Sequence, residues 1–182
     1  MLDRSRPHSR SPRDLRPGPT DASTGHYWLM RRDLALPRRP VTLPDTLHEA
    51  PFNADNAAAV HRLLTLGTQH GGGRVADFTT WMNAFESDPE FDRSLCFVVE
   101  DPLGVVAVAQ CWTSAFIRNL VVHPRVQGRG VGAALLARVF EAFAQRREGH
   151  VDLKVMESNL AARRLYERVG MQYVQRRELE PR

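Results

Sequence analysis

Hydrophobic and polar positions follow regular patterns in the second half of the chain, and these patterns predict its elements. Residues 95–100 and 105–112 are apolar runs of strand type, and the turn residues 101–104 between them predict a β-hairpin with a four-residue loop. Residues 114–122 form another strand-like run, which ends at His123-Pro124. The pattern therefore predicts three consecutive strands.

From residue 131 the period changes from that of a strand to that of a helix. Apolar side chains recur at every fourth position, at Val131, Leu135, Val139 and Phe143, which predicts a helix over residues 131–147. Three shorter elements follow, a strand, a helix and a strand, over residues 151–156, 160–169 and 171–176. A run of strands followed by alternating helices and strands predicts a mixed α/β sheet.

The first half of the chain is less regular. Residues 41–49 predict a first strand, and Asp55 is a candidate cap for a helix over residues 57–66 that Gly67 would close. Residues 68–74 contain three consecutive glycines and predict a loop. Asp77 then caps a second short helix.

The chain divides by composition into a tail, a short segment and a domain. Residues 1–25 carry five arginines among four prolines and few apolar side chains, so this tail is expected to be disordered. Residues 26–40 predict an extended segment whose packing the sequence does not fix. Residues 41–182 are predicted to form the domain.

Composition narrows the class of protein. No apolar run approaches the roughly 18 residues of a membrane span, so no membrane partner is expected. Cys96 and Cys111 lie in apolar runs without metal-ligand spacing, and the N-terminus lacks a secretory signal, which together predict reduced thiols, no metal and a cytoplasmic location. The net charge of +4 suits an anionic cofactor but does not by itself argue for nucleic acid, which is disfavoured as a partner.

The segment from Gln127 to Gly132, with sequence QGRGVG, lies between the strand-like run and the long helical pattern. Glycines at such a bend let the backbone approach a ligand closely, because no Cβ stands in the way. The first N–H groups of the helix lack partners within the helix and lie at the positive end of its dipole, so they bind phosphate well. The segment predicts a site for a phosphorylated cofactor.

A dinucleotide site is one alternative for this segment. Gly128-x-Gly130-x-x-Ala133 fits the dinucleotide fingerprint, and Glu157 lies about where a ribose-binding acid would follow. Against it, the glycines lie late in the chain, and residues 123–127 separate them from the strand where a tight turn is expected.

A second group of residues follows the strand at 151–156. Steps of four and three place Asn159, Arg163 and Tyr166 on one face of a helix, with the asparagine and the tyrosine roughly 10 Å apart along its axis. An amide and a phenol in this arrangement can reach two separate points of one elongated ligand.

With these two motifs the chain resembles the GCN5-related N-acetyltransferases. The family signature Gln/Arg-x-x-Gly-x-Gly/Ala is matched by Gln127 to Gly132, and its Ser-Asn-x-x-Ala-x-x-x-Tyr-x-x-x-Gly-Phe region by Ser158 to Met171, with methionine where phenylalanine is usual. The similarity covers roughly residues 95–176. It implies a mixed, mostly antiparallel central sheet with helices on both faces.

The resemblance also implies acetyl-CoA as cosubstrate and direct attack of a primary amine on the thioester in a ternary complex. The backbone of Leu120, Val121 and Val122 would pair with pantetheine, and an N–H near Val122 would stabilise the oxyanion. Asn159 would contact the pantetheine arm, and Tyr166 would be the general acid for the departing thiolate. Amides would hold the diphosphate at Gln127, Gly128, Arg129, Gly130, Val131, Gly132 and Ala133, with Arg125 and Arg129 as candidate sources of added charge.

The general base, the acceptor and the oligomeric state stay open. The family's two catalytic glutamate positions fall on Phe116 and Lys154, so Glu100, His123 and Glu157 are candidates by type only, and we expect ordered water to assist proton removal. The acceptor is expected to be a small-molecule or peptide amine, and a homodimer is one option. Three other functions are a non-catalytic acyl-CoA-binding or sensing domain, nucleic-acid binding through the tail, and an NAD-binding enzyme.

Overall fold

The computed structural model describes residues 25–37, 40–71 and 74–179, so the predicted disordered tail lies outside the described residues apart from Gly25. The described strands are β1 His26–Asp33, β2 His48–Pro51, β3 Phe91–Asp101, β4 Gly104–Trp112, β5 Phe116–Val122, β6 His150–Met156 and β7 Gln172–Glu178. The described helices are α1 Ala54–Gly71, α2 Phe78–Ser87, α3 Val131–Gln145 and α4 Leu160–Arg168. These bounds agree with the strands and helices predicted for the second half of the chain.

All seven described strands form one sheet in the order β2-β3-β4-β5-β6-β1-β7. Neighbouring strands are antiparallel except β5 and β6, which are parallel. The predicted hairpin is present, with Asp101 opposite Gly104 and therefore only two residues in its loop. The segment predicted as extended, with unfixed packing, contributes β1, which lies between β6 and β7.

Two hydrophobic clusters cover the two faces of the sheet. One contains Leu135, Val139 and Phe143 of α3 together with Tyr166 of α4. The other contains Val60, Leu63 and Leu64 of α1 and Phe85 of α2. Successive residues of β4 divide between them, since Ala107 and Ala109 belong to the first cluster and Val108 to the second. The prediction of a mostly antiparallel mixed sheet with helices on both faces is confirmed.

The strand predicted over residues 41–49 is wrong for most of its length. Only His48 and Glu49 of that stretch lie in β2, which extends to Pro51. Before it, the N–H of Leu47 donates to the carbonyl of Pro44 at 2.8 Å, which closes a turn. Pro44 has no N–H to offer a ladder, so a continuous strand is disfavoured there.

The first helix is longer than predicted and is capped by a different residue. Asn53 Oδ1, and not Asp55, accepts the N–H groups of Asp55 and Asn56 at 2.8 and 3.1 Å. Gly67 lies inside α1, where an added Cβ would stand 2.6 Å from Cγ2 of Val121 on β5. Gly67 therefore allows close packing of helix and sheet. The cap predicted at Asp77 is present, since Asp77 Oδ1 accepts the N–H of Thr80 at 3.0 Å.

None of the helices in the described ranges is long and apolar enough to cross a membrane.

Candidate functional site

The parallel strands β5 and β6 part in the middle of the sheet. They pair only where Phe116 faces Asp152 and Ile117 faces Leu153. Beyond this point β5 pairs only with β4, and β6 from Lys154 onward pairs only with β1. The structure thus has a gap between the two strands, lined on one side by the end of β5.

The register of β4 and β5 shows which backbone groups face this gap. Three consecutive pairs of the ladder are Ala107 with Val122, Val108 with Val121 and Ala109 with Leu120. The N–H of His123 donates to the carbonyl of Val106 at 2.7 Å, which makes the first of these pairs a non-hydrogen-bonded one. Because pairs alternate, the polar groups of Leu120 and Val122 point into the gap, whereas those of Val121 bond β4.

The glycine loop is tied to the end of β5 by a side chain. Gln127 Nε2 donates to the carbonyl of Val122 at 2.8 Å. A short 3-10 helix over Pro124–Val126 carries the chain from the strand to this glutamine. The loop therefore lies directly beyond the Val122 end of the gap.

Helix α3 begins without a side-chain cap. Its first flanking residue, Gly130, has a φ of 80°, and Gly128 has a φ of 75°. A Cβ at either position would meet nothing within 4 Å, so glycine is needed for the backbone conformation and not for space. The first N–H bonded inside the helix is that of Ala134, to the carbonyl of Gly130 at 3.0 Å.

Three backbone donors at this helix start therefore have no partner within the described residues, namely the N–H groups of Val131, Gly132 and Ala133. They lie at the positive end of the helix dipole. Such a start binds phosphate well.

The two arginines of the loop differ in their partners. Arg125 donates to both carboxylate oxygens of Asp101, at 3.1 and 2.9 Å, and this contact holds the pKa of Asp101 below its usual value. Arg129 donates to Thr46 Oγ1 at 3.2 Å and has no carboxylate partner among the described residues. Arg129 is the arginine of the two whose charge is open to a ligand.

Helix α4 begins with a capped turn. Asn159 Oδ1 accepts the N–H of Ala162 at 3.1 Å, which leaves only the side-chain NH₂ of Asn159 for a ligand. The predicted row of three side chains does not act together: Arg163 bonds the carbonyl of Glu157 and the hydroxyl of Tyr173, both at 2.9 Å. Tyr166, by contrast, is buried, with 7% of its surface exposed.

The start of α3 meets the second half of α4 at the end of β5. A Cβ on Gly132 would stand 2.9 Å from Cδ2 of Leu165 and 3.6 Å from Cγ2 of Val122. Tyr166 follows Leu165 in α4, and burial raises the pKa of its phenol to about 12, so the hydroxyl stays protonated at neutral pH. The structure brings the glycine loop, the end of β5 and α4 together in one place.

The three candidate bases are engaged elsewhere. Glu157 accepts two bonds from Arg176, at 2.8 and 2.7 Å, and the hydrogen bond from this arginine lowers the pKa of Glu157. Glu100 lies on β3, where it accepts from Asn56 Nδ2 at 3.4 Å. His123 Nδ1 accepts the N–H of Arg125 at 3.2 Å. Assistance by ordered water stays a prediction.

Sequence reasoning missed a polar pair beside the gap. Asn119 on β5 donates from Nδ2 to Oε1 of Gln110 on β4 at 2.8 Å, and Gln110 is only 1% exposed. Gln110 is the one polar residue of the run over residues 105–112, whereas Asn119 directly follows Arg118 in the next run. Simple pairing of the two runs from Trp112 and Phe116 would have set Gln110 opposite Arg118, and the bulge shifts its partner to Asn119.

Comparison with known proteins decides the family. The family model described as "Acetyltransferase (GNAT) family" matches residues 57–171, which is more than half of the chain. The chain belongs to this family. The resemblance found in the sequence is thereby confirmed, and the matched residues include the gap, the glycine loop and α4.

Two relatives are both named mycothiol acetyltransferase. That of Beutenbergia cavernae is 32% identical over 54% of this chain, and that of Kineococcus radiotolerans is 38% identical over 46% of it. The chain spans only 42% and 28% of their respective lengths. A crystal structure of a GCN5-related N-acetyltransferase from Sphaerobacter thermophilus matches 87% of this chain and 53% of its own, with a TM-score of 0.71 and 24% identity. This last likeness supports the fold.

Proposed function

We propose that the protein is an acetyl-CoA-dependent N-acetyltransferase that moves the acetyl group to a primary amine by direct attack in a ternary complex. One observation carries the proposal: gap-facing backbone groups on β5 lead directly to an uncapped helix start. The first suits an extended chain containing amides, and the second suits a diphosphate. Coenzyme A joins these two chemical parts in one molecule.

The residues present fit this cosubstrate. The N–H groups from Gly128 to Ala133 would hold the diphosphate, with Arg129 adding charge. The N–H of Gln127, which the resemblance also implied, donates instead to the carbonyl of Pro124 at 3.3 Å. Pantetheine would enter the gap as a pseudo-strand along Leu120 and Val122, and the free NH₂ of Asn159 would reach its arm. The carbonyl of Val122 already accepts a hydrogen bond from Gln127. Val122 would therefore offer its N–H group to pantetheine.

The position of the diphosphate sets the direction of the cosubstrate. The glycine loop lies beyond the Val122 end of the gap, so the thioester would lie toward the opposite end, near Leu120. The N–H of Leu120 faces the gap there. We therefore place the oxyanion donor at Leu120, two residues before the position near Val122 that the sequence predicted.

The reaction needs the acceptor in its neutral form, because an ammonium has no lone pair. The amine nitrogen bonds to the thioester carbonyl carbon, the carbon–sulfur bond breaks, and the sulfur leaves with the electron pair. The nitrogen loses one proton to solvent, and the thiolate takes one from solvent. The products are an amide and the free thiol of coenzyme A.

Tyr166 would donate a hydrogen bond to the departing sulfur. A thiol has an ordinary pKa of about 8.5, and burial raises the pKa of Tyr166 to about 12. Complete transfer of the phenol proton to the thiolate is therefore unfavourable. Tyr166 instead stabilises the charge as it develops, which is worth more in a dry site than in water.

The acceptor would be a small-molecule or peptide amine. The two named relatives are acetyltransferases, which supports acetyl transfer here as well. A cytoplasmic location, a homodimer and the absence of metal and nucleic acid stay predictions.

Calorimetry with acetyl-CoA and with NADH tests the cofactor, and release of the coenzyme A thiol across a panel of amines tests the reaction. We expect binding of acetyl-CoA only, and amine-dependent thiol release. No binding of acetyl-CoA would refute the proposal. Binding without release for any amine would instead favour the non-catalytic acyl-CoA-binding domain.

A further inference from the structure

A line of side chains on the α1/α2 face of the sheet ends at the gap. Cys96 on β3 faces Gln110 on β4, and Gln110 faces Asn119 on β5. Cys96 belongs to the cluster under α1 and α2, and Val121, two residues beyond Asn119, touches α1 at Gly67. Beyond Asn119 the sheet opens, so Asn119 is the last side chain of this line before the gap.

The contact with Gln110 fixes the orientation of the Asn119 amide. Asn119 Nδ2 donates toward β4, to Gln110 Oε1 at 2.8 Å. In a planar amide the oxygen then lies on the side away from β4, which is the side of the gap. Within the described residues this oxygen accepts no hydrogen bond.

Gln110 itself is an unusual residue for this position. It is 1% exposed, and its Nε2 has no hydrogen-bond partner among the described residues. A buried amide with an unmatched donor is costly, so such a group calls for a reason. Holding the rotamer of Asn119 at the edge of the gap is such a reason.

Two carboxylates near this part of the gap, those of Asp152 and Asp88, are already engaged by other side chains. Asp152 on β6 is held by Arg31 through two bonds of 2.7 Å, with His150 3.8 Å away. Asp88 accepts from Trp112 at 3.1 Å and lies 3.8 Å from Arg118. Lys154, the first residue of β6 beyond the paired segment, stacks on Tyr27 and has no carboxylate partner within the described residues.

We propose that Asn119 Oδ1 accepts a hydrogen bond from the acceptor amine in its neutral form and orients the nitrogen lone pair toward the thioester. This inference rests on the proposed function, because the thioester is placed next to Leu120, the neighbour of Asn119. An amide oxygen carries no full negative charge, so it stabilises the ammonium less than a carboxylate would, and the cation of Lys154 on β6 disfavours the ammonium further. Asn119 is thereby a catalytic residue and Gln110 its positioning residue.

The test uses the full chain with Asn119→Leu, Asn119→Asp and Gln110→Met. The exposed Asn83→Leu on α2 serves as the matched control. The amine probes are spermidine, glucosamine, alaninamide and a tetrapeptide that begins with alanine. Calorimetry gives the Kd of acetyl-CoA, and thiol release gives kcat and KM for each amine that the wild type uses.

We expect Asn119→Leu to lower kcat/KM for every accepted amine by about 30-fold, the size of one lost hydrogen bond at a reacting group. The Kd of acetyl-CoA should stay within about threefold, which also shows that the variant is folded. Gln110→Met should lower kcat more than it raises KM, because the side chain of Asn119 is then free to turn away. Asn119→Asp should move the ascending limb of the pH profile of kcat/KM to higher pH, since a carboxylate stabilises the ammonium.

Unchanged kcat/KM in Asn119→Leu would overturn the inference, and so would an unmoved pH profile in Asn119→Asp if the first variant does not fold. A wild type that binds acetyl-CoA but uses none of the four probes would also overturn it. A wild type that does not bind acetyl-CoA refutes the proposed function itself, which is a distinguishable result.

Discussion

The starts of α3 and α4 are built in opposite ways, although the two helices pack against each other at Gly132 and Leu165. Helix α4 begins with Asn159, whose side chain caps the N–H of Ala162. Helix α3 begins with Gly130 in the left-handed region and has no side-chain cap. A cap is worth about 1 kcal/mol of stability, and α3 forgoes it. The difference supports the proposal that the start of α3 is kept open for a ligand, whereas Asn159 also stabilises the start of its own helix.

In the proposed site, the two helices also differ in the groups that they would bring to the gap. Helix α3 offers backbone N–H groups, whose positions are set by the fold and not by residue type. Helix α4 offers a buried phenol, Tyr166, and therefore depends on residue type. Substitutions at the two helices should separate binding of the cosubstrate from its turnover.

The largest effect is expected from a charge at the open helix start. Gly130→Asp and Gly130→Asn both tolerate a positive φ and both supply a cap, but only the aspartate adds a charge. Two charges about 4 Å apart near a protein surface interact by about 4 kcal/mol. Calorimetry should therefore show acetyl-CoA binding weakened at least about 100-fold by aspartate and about tenfold by asparagine. Equal weakening would mean that electrostatics at this helix start does not hold the diphosphate.

A smaller effect, on turnover only, is expected from Tyr166→Phe. Removing the hydrogen bond to a developing thiolate should lower kcat by about 10- to 100-fold, while the Kd of acetyl-CoA stays unchanged. Because the pKa of Tyr166 is raised to about 12, its proton-bearing form is present at every pH below that value. The kcat of the wild type should accordingly show no descending limb from this phenol between roughly pH 7 and 10. A weaker affinity for acetyl-CoA with an unchanged kcat would contradict this prediction. It would show that α4, like α3, serves binding of the cosubstrate.

A modest effect on stability is expected from substitutions at the capped start of α4. Asn159→Ala removes the cap and should lower the free energy of unfolding by about 1 kcal/mol, or roughly 2–4 °C in Tm. Asn159→Asp keeps an acceptor for the same N–H and is the matched control. If alanine leaves Tm unchanged but weakens acetyl-CoA binding, Asn159 serves the ligand and not the helix.

The two buried cysteines are expected to be unreactive in the native protein. Their labelling therefore reports whether the variants described above stay folded. Burial raises the pKa of Cys96 to about 12 and raises that of Cys111 well above its usual value. Both thiols are therefore protonated and shielded at neutral pH. A thiol reagent should label neither cysteine in the native wild type or variants, and both after denaturation. Labelling of a native variant would show that its change in activity reflects a loosened core.

Much of the difference between the two helix starts could be predicted from the sequence, because it depends on residues that are close together in the chain. The glycines before residue 131 and the helical period after it locate the open start of α3. The same kind of signal was present at Asn159, whose type and position suit an N-cap. The sequence analysis assigned that residue to the ligand, and the structure shows its oxygen in use by Ala162.

The gap itself and the pair beside it depend on contacts that no local pattern contains. Beyond Leu153, β6 pairs only with β1, which lies more than a hundred residues away in sequence. The contact of Asn119 with Gln110 depends on strand register, which a bulge at Gln110 and Cys111 shifts. Likewise, glycine is typical of a helix end, which is why the sequence predicted one at Gly67. The contact with Val121 that places this glycine inside α1 is a tertiary one and leaves no mark in the local sequence.

The position of β1 between β6 and β7 affects how the protein folds during synthesis. Its two neighbours, β6 and β7, are synthesised more than a hundred residues after it, so the segment from His26 to Asp33 waits without these partners until they emerge. Pairings so distant in sequence form slowly, since a long loop must close first. A protein trimmed to begin at residue 41 would retain every residue proposed to bind the cosubstrate, and yet its last two strands would have nothing between them.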